Sequence, residues 1–528
     1  MTQQWSDPTR YGRHGAVCTV DQLATAAGLD VLRTGGNAVD AAVAASAVLA
    51  VTTQHMCGMG GDLLAVVQPA SGSAPKALLA VGRTGSGSDA AELRAQGHTR
   101  MPYRGDIRSV TVPGCVDGWL ALHAAHGRLP LARVLAPAIG YAEQGFAVTP
   151  LLAAALPHVA SVDGGEELAG GTLPLAGDLR RRPLLAKALR AIVSEGRKGW
   201  YEGAFGQGLI RIGQGLFTES DLATWQAEWV PAAQLRIGDR LLATTPPPTQ
   251  GYLVLSGAHV AEALGVLGAA GLDDPHLLIE AARITAHDRP ARLADGVPVS
   301  ELLLPDDLAE RVTRVSPDTT AAVQVPTGAG GTIYLCTADS DGMVVSLSQS
   351  NAAGFGAYLA VGEVGVFLNN RGLGFSLESG HPAELKPGAR PPHTLCPALL
   401  IEGEQTTALG TMGGDAQPQI LLQLLAALAA GDTPAAALAR PRWSPVGPRD
   451  DGFDAWEPWP DGSVAPAIAV EAHAPASWDN ALTRRGHRVV RAQPGRAFGH
   501  AHLLVRRSDG VLLAASDPRA ASGDAQAF

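Results

Sequence analysis

The stretch Gly330-Gly331-Thr332 places a hydroxyl residue directly behind two glycines, at the first position of a β-rich run, TIYLCTAD. A peptide bond there is open to attack by its own side chain. Thr332 Oγ can add to the Gly331 carbonyl, and the acyl shift gives an ester that water hydrolyses. The glycines leave the carbonyl accessible and tolerate strained backbone. Cleavage would free an α-amino group on Thr332, and such an amine has an ordinary pKa of about 7.7–8.0. It can serve as general base for the adjacent hydroxyl, so that one residue supplies both nucleophile and base. The same local pattern also suits an ordinary strand threonine after a linker.

Three other clusters invite chemistry. Gly410-Thr411-Met412-Gly413-Gly414-Asp415 follows a strand-like run and precedes a helix-like one. Its backbone N–H groups could bind a developing oxyanion, although alone it also reads as a tight turn. Cys57-Gly58-Met59-Gly60-Gly61-Asp62 resembles a nucleotide loop in glycine content, but it lacks the GxGxxG spacing and follows a helix. His500-Ala501-His502 on a strand would put two imidazoles on one face, with no nearby carboxylate or HExxH pattern to complete a zinc site. Neither a metal nor a cofactor is expected.

Positioning these groups needs both helices and strands. Residues 21 to 51 read as two helices broken at Gly35-Gly36, with Asn37 as the N-cap of the second. Further helical segments are expected at 116–127, 131–145, 183–196, 253–265 and 418–430, and Pro246-Pro247-Pro248 marks a stiff connection. From Thr332 the texture turns β-rich: TIYLCTAD and MVVSLSQS are joined by Ser340-Asp341-Gly342, a hairpin signal. The preceding SPDTTAAVQVPTGAGG reads as a linker, and strand runs follow at 397–402, 406–410, 500–506 and 511–515. Helices first and strands last predict an α+β layering in which both parts share one sheet sandwich.

The 528 residues are 46% apolar and 17% charged, enough to bury a large core. The net charge of −10 comes without a Lys/Arg-rich block, which argues against nucleic acid as a partner. Five cysteines, odd in number and without a CxxC pair, argue against a disulfide framework and fit a reducing compartment. The opening residues lack a signal-peptide pattern, and the apolar run 38–51 is too short to span a bilayer, so a soluble cytoplasmic protein is expected.

Several motifs occur in a specific order: GLDVLRTGGNAVDAAVAAS, VPGCVDGWLALHAAHGRLPL, LAPAIGYAEQGFAV, WYEG and PPPTQG, then SLSQSN, FLNNRG, PGARPPHTLCPALL, GTMGG and SDPR. In this order the chain resembles the gamma-glutamyltranspeptidase family over nearly its whole length. The resemblance implies a four-layer αββα sandwich of the N-terminal nucleophile hydrolase type. One αββα fold would be built from a large segment, 1–331, and a small one, 332–528, cut between Gly331 and Thr332 and remaining associated. It implies Thr332 as nucleophile, Ser350 as the hydroxyl that orients it, and Gly413 and Gly414 as the oxyanion hole. Arg83 matches the arginine that holds the substrate α-carboxylate, a task suited to a guanidinium fork. Asn351, Arg371, His393 and Thr394 fall at substrate-binding positions.

Two departures bear on specificity. Where the family has an aspartate for the substrate α-ammonium, this chain has Gly374, and Arg371 adds a cation that would repel an ammonium if it faced the pocket. The family's paired serines become His393-Thr394. Thr394 can still donate, while His393 adds a titratable group that equally suits a packed position. These stretches look closest to a gamma-glutamyltransferase-like branch that includes oxamate amidohydrolases and relatives of glutaryl-cephalosporin acylases. The expectation is a self-cleaving hydrolase of gamma-glutamyl amides, glutathione-type, or similar carboxylate-bearing acyl amides, with weak acyl transfer. The same mechanism on a des-amino acyl amide is the near alternative, and an unprocessed, non-catalytic binding protein is the alternative of another class. The short stretch from Leu377 to Pro387 leaves little room for a lid, and further oligomerisation stays open.

Overall fold

The computed structural model describes residues 9–328, 330–447, 467–493 and 495–528. The strands that matter here are β1 (Arg10–Gly12), β2 (Gly15–Thr19), β3 (Asp62–Gln68), β4 (Lys76–Ala80), β5 (Ala227–Pro231), β6 (Ala233–Ile237) and β7 (Arg240–Thr244). After them come β8 (Gly331–Asp339), β9 (Val344–Ala352), β10 (Ala398–Glu402), β11 (Gln405–Thr411), β12 (Ala501–Arg506), β13 (Leu512–Ser516) and β14 (Asp524–Ala527). Among the described residues they form two seven-stranded sheets, in the orders β14-β2-β8-β9-β3-β4-β5 and β1-β13-β12-β11-β10-β7-β6. Neighbouring strands in both sheets run antiparallel wherever they pair.

The two sheets share a buried core. Cys18, Tyr334 and Cys336 of the first pack with Ala243, Leu399, Ala408 and Leu504 of the second. The approach is close at Gly410, where a β-carbon would lie 2.1 Å from the Tyr334 ring. Outside the first sheet lie α1 (Gln22–Arg33), α2 (Ala38–Thr52), α3 (Cys115–His126), α4 (Leu131–Gln144) and α5 (Pro183–Glu195). Outside the second lie α6 (Gly251–Ala263), α7 (His276–Ala286) and α8 (Gln417–Ala429).

Local chemistry explains the elements nearest the site. α2 starts where Asn37 Oδ1 accepts from Asp40 N at 3.0 Å and Asp40 Oδ2 accepts from Asn37 N at 3.1 Å, a reciprocal cap. Its small residues are all buried, so the helix can lie close against its neighbours. The β8–β9 hairpin closes because Asp339 Oδ1 accepts from the N–H groups of Asp341, Gly342 and Met343, each at 3.0 Å, while Gly342 takes φ +103°.

Two expectations need correction. Strands are not confined to the second half, because β3 to β7 all precede Thr332; β3 is buried on both faces and shows no alternation, which hides it as a strand. The segment before the hairpin is no slack linker either. Glu280 Oε2 accepts from Ala321 N at 2.6 Å, and Arg283 Nη2 donates to the carbonyls of Ala321 and Val323 at 2.9 and 3.0 Å. No described helix is long and apolar enough to cross a membrane.

Candidate active site

The β8–β9 ladder slips by one residue between Gly331 and Ile333, so that Ser350 and Asn351 together oppose Thr332. A bulge of this kind re-aims side chains. The strain falls on the next residue of β9, Ala352, at φ +77°. Thr332 and Ser350 are both buried, and the Thr332 hydroxyl donates to Ser350 Oγ at 3.2 Å. Ser350 in turn donates to the Gly331 carbonyl oxygen at 2.6 Å. One hydroxyl therefore touches both the attacking oxygen and the carbonyl it would attack.

Behind Ser350 stands Arg371, buried to 2% exposure. Its Nη2 donates to Ser350 Oγ at 2.9 Å and its Nη1 to Thr394 Oγ1 at 3.2 Å, while Nε lies 3.7 Å from Asp62 Oδ2. Burial lowers the Arg371 pKa to about 10, against the opposing pull of Asp62 and Asp415, so the guanidinium is still charged at neutral pH. Asp62 is the residue that sequence reasoning missed. Its Oδ1 accepts from Gly82 N at 2.9 Å, and its Oδ2 lies 3.2 Å from His393 Nε2. His393 Nδ1 accepts from Leu395 N at 3.2 Å, which leaves the ring proton on Nε2, facing Asp62. Burial, with Arg371 nearby, pushes the His393 pKa down to about 4, so the ring is neutral and packed.

The Gly413-Gly414 turn is held from below. Both residues take positive φ, +138° and +57°. Gln250 Nε2 donates to the carbonyls of Gly414 and Thr394 at 3.0 and 2.6 Å, and Gln250 Oε1 accepts from Arg289 Nη1 at 2.6 Å. Arg289 Nη1 also reaches Asp415 Oδ1 at 2.7 Å. Asp415 Oδ2 accepts from Gly328 N at 2.7 Å, which fixes the chain just before the Gly331-Thr332 bond. A β-carbon on Gly330 would lie 2.9 Å from Gly414 Cα, so the glycine is needed for that approach. Gln250, Arg289 and Asp415 were also invisible as a group in the sequence.

Two cavities adjoin this cluster and share Tyr103 in their walls. One, of about 300 Å³, is lined by Gly330, Gly331, Gly354 and Gly413, with His55, Arg104 and Tyr358 among the facing residues. The other, of about 280 Å³, passes Gly374 and the side of Arg289. No Asp or Glu is among the described lining residues of either.

Some expected residues lie elsewhere. Arg83 lines neither cavity; its Nη1 donates to the Gly388 carbonyl at 3.1 Å and lies 3.9 Å from Asp295. Asn351 turns to the loop after α2, donating to the Gln54 carbonyl at 3.4 Å. Arg371 is committed to Ser350, Thr394 and Asp62 and lines neither cavity. His502 stacks near Tyr334 with ring centroids 6.1 Å apart, and no metal-holding group of three or more His, Cys, Asp or Glu occurs among the described residues.

Gly374 cannot simply be given its missing carboxylate. A β-carbon there would lie 2.3 Å from the Pro392 carbonyl oxygen. Gly374→Asp is therefore expected to lower stability, by about 1–3 kcal/mol for an overpacked site, without raising turnover of gamma-glutamyl amides. A urea midpoint on the uncut Thr332→Ala background, together with a gamma-glutamyl anilide assay on the processed protein, checks both parts.

Paired antiparallel sheets with helices outside them, closing on a buried hydroxyl bonded through Ser350 to the neighbouring peptide carbonyl, define a mixed helix-and-sheet amide hydrolase. The chain belongs to the gamma-glutamyltranspeptidase family, whose model matches residues 24–527. The oxamate amidohydrolase proenzyme of Klebsiella pneumoniae is 32% identical, over 96% of this chain and 97% of that one. The glutathione hydrolase-like YwrD proenzyme of Bacillus subtilis is 31% identical over the same shares. Among solved structures, the cephalosporin acylase from Bacillus halodurans matches with a TM-score of 0.88 and 31% identity, covering 100% of this chain and 98% of that chain.

Proposed function

We propose that the chain cuts itself between Gly331 and Thr332, and that Thr332 then opens amides of carboxylate-bearing acyl groups through an acyl-enzyme. The observation that supports this reading most directly is Ser350 Oγ, which bridges the Thr332 hydroxyl at 3.2 Å and the Gly331 carbonyl at 2.6 Å. In the cut, Thr332 Oγ loses its proton and bonds to the Gly331 carbonyl carbon, the C–N bond breaks, and the Thr332 nitrogen takes up a proton and leaves as an amine; water then hydrolyses the ester, giving the Gly331 carboxylate and restoring the Thr332 hydroxyl. Negative charge grows on the Gly331 oxygen, where Ser350 donates. Arg371, donating to Ser350 at 2.9 Å, strengthens that donor by polarising it.

In turnover the freed amine takes the hydroxyl proton while Thr332 Oγ attacks the substrate carbonyl, and the N–H groups of Gly413 and Gly414 hold the oxyanion. Thr394 remains a substrate contact in this reading. The segments 1–331 and 332–528 stay associated as one four-layer αββα sandwich, because β8 lies between β2 and β9 within one sheet. Water is the main acceptor of the acyl group, and transfer to amines is weak.

For the acyl group, the absence of Asp and Glu from both described cavity linings favours a des-amino acid, such as a glutaryl or oxamyl group, over a gamma-glutamyl group carrying an ammonium. The test compares kcat/KM for glutaryl and gamma-glutamyl p-nitroanilides with the purified, processed protein. At least a tenfold glutaryl preference is expected. A gamma-glutamyl preference would overturn the des-amino reading but leave the amide hydrolase standing, whereas an uncut chain inert toward both would support a binding protein.

A further inference from the structure

Two of the five cysteines meet across the proposed cut. Cys18 sits on β2 and Cys336 on β8, and the antiparallel register sets them directly opposite each other. Both are fully buried and free, and both belong to the apolar core between the two sheets, so their side chains leave the first sheet on the same face. Directly opposite residues of an antiparallel pair have Cα atoms about 4.5 or 5.5 Å apart, inside the range of about 4.4–6.8 Å that a disulfide spans. The Cys18 thiol donates to the Leu503 carbonyl of the second sheet at 3.7 Å, and burial, with Cys336 beside it, pushes that thiol well above its ordinary range. Only one strand separates β2 from the edge of its sheet: β14, four residues long, in which Ala525 pairs with Cys18.

A short edge strand opens locally at far less cost than the whole fold, and opening of β14 uncovers Cys18 first. We infer that Cys18 and Cys336 are a redox-modification site, at which a peroxide joins them in a cross-strand disulfide between segments 1–331 and 332–528. One thiolate attacks the peroxide and becomes a sulfenic acid while hydroxide leaves; the second sulfur then attacks that sulfenic acid, and water leaves. In total two thiols lose two protons and two electrons, and hydrogen peroxide becomes two waters. The raised Cys18 thiol keeps the first step slow in the closed molecule, so the site answers sustained oxidation and not a brief pulse. The remaining cysteines are placed differently: Cys57 and Cys115 both precede Thr332, and Cys396 belongs to the core outside the second sheet. After the proposed cut, the bond would tie together two pieces that otherwise share only strands and core. That consequence rests on the reading of Thr332; the bond itself does not.

Uncut Thr332→Ala protein separates the two. It is treated with hydrogen peroxide, with and without sub-denaturing urea, then denatured, alkylated and mapped by peptide mass spectrometry. A Cys18–Cys336 linkage is expected in both conditions, forming several-fold faster in urea because β14 opens more often. Wild-type pieces treated in the same way should run as one band of full mass on a non-reducing denaturing gel, and dithiothreitol should split that band in two. Cys18→Ala and Cys336→Ala, which keep a small apolar side chain, should lower the joined band by roughly tenfold or more, whereas Cys57→Ala should leave it unchanged. A map in which Cys18 and Cys336 stay free, oxidise further without joining, or join other cysteines under both conditions would overturn the assignment. If Thr332→Ala protein forms the bond while the wild type is never cut, the site stands and the reading of Thr332 falls. A wild type that is cut, but whose pieces never join, would sink the site and leave that reading intact.

Discussion

Thr332→Ala should remain a single uncut chain and lose turnover of every amide substrate by roughly 10⁴-fold or more, the scale seen when an activated nucleophile is removed. The loss is compound. Without the hydroxyl, no atom is placed to attack the Gly331 carbonyl, so the peptide bond survives and the Thr332 amine that would act as base is never released. The fold should be intact, because Thr332 Oγ makes only the 3.2 Å bond to Ser350 in this cluster. Thr332→Ser, which keeps the hydroxyl, should still cut, more slowly. Intact-mass spectrometry read over hours, beside an anilide assay, checks these outcomes. A Thr332→Ala chain that separates into two pieces at this bond would sink the nucleophile assignment.

Arg371→Met is expected to slow self-cleavage by about 10-fold, less than the roughly 10²–10³-fold cost of losing a donor that touches the oxyanion itself, because Arg371 acts only through Ser350. It should also cost roughly 3–5 kcal/mol of stability, as breaking a buried ion pair does. The first effect follows from the bond to Ser350 at 2.9 Å; the second follows because Asp62, fully buried, loses the guanidinium 3.7 Å away. Adding Asp62→Asn separates them. Removing both charges should restore much of the stability while cleavage stays slow. If cleavage recovered together with stability, Arg371 would be a packing residue only. A gel time course on the three proteins, with urea midpoints measured on the same changes in the uncut Thr332→Ala background, decides between these.

The parts of this site written in short segments were legible in the sequence. The β8–β9 hairpin could be read from Asp341-Gly342 and the strand-like runs on either side, and α2 from Asn37 and its apolar continuation. The Arg371–Asp62–His393 cluster could not be read this way. His393 and Asp62 are 331 positions apart, and nothing near either residue says that its charge or imidazole will be buried. Asp62 did carry one usable signal: it heads an apolar run, LLAVV, where a carboxylate must find partners or be excluded. Arg371 was legible as a cation at a substrate-binding position, but not its inward direction, which is set by Ser350, Thr394 and Asp62, partners remote in the sequence. Likewise, glycine and proline content made residues 316–331 look slack, whereas Glu280, Arg283 and Asp415 hold them from distant elements.

The first sheet draws β2, β3, β4 and β5 from before the Gly331-Thr332 bond and β8, β9 and β14 from after it. Once that bond is cut, its two pieces hold each other only by interleaved strands and shared core. Unfolding then becomes a dissociation, and regaining the sheet requires two chains to meet and thread strands between strands already paired. Folding instructions that work in one continuous chain would no longer suffice after the proposed cut. A molecule matured by the proposed cut would therefore live by how slowly it opens, with a lifetime in place of a reversible melting point.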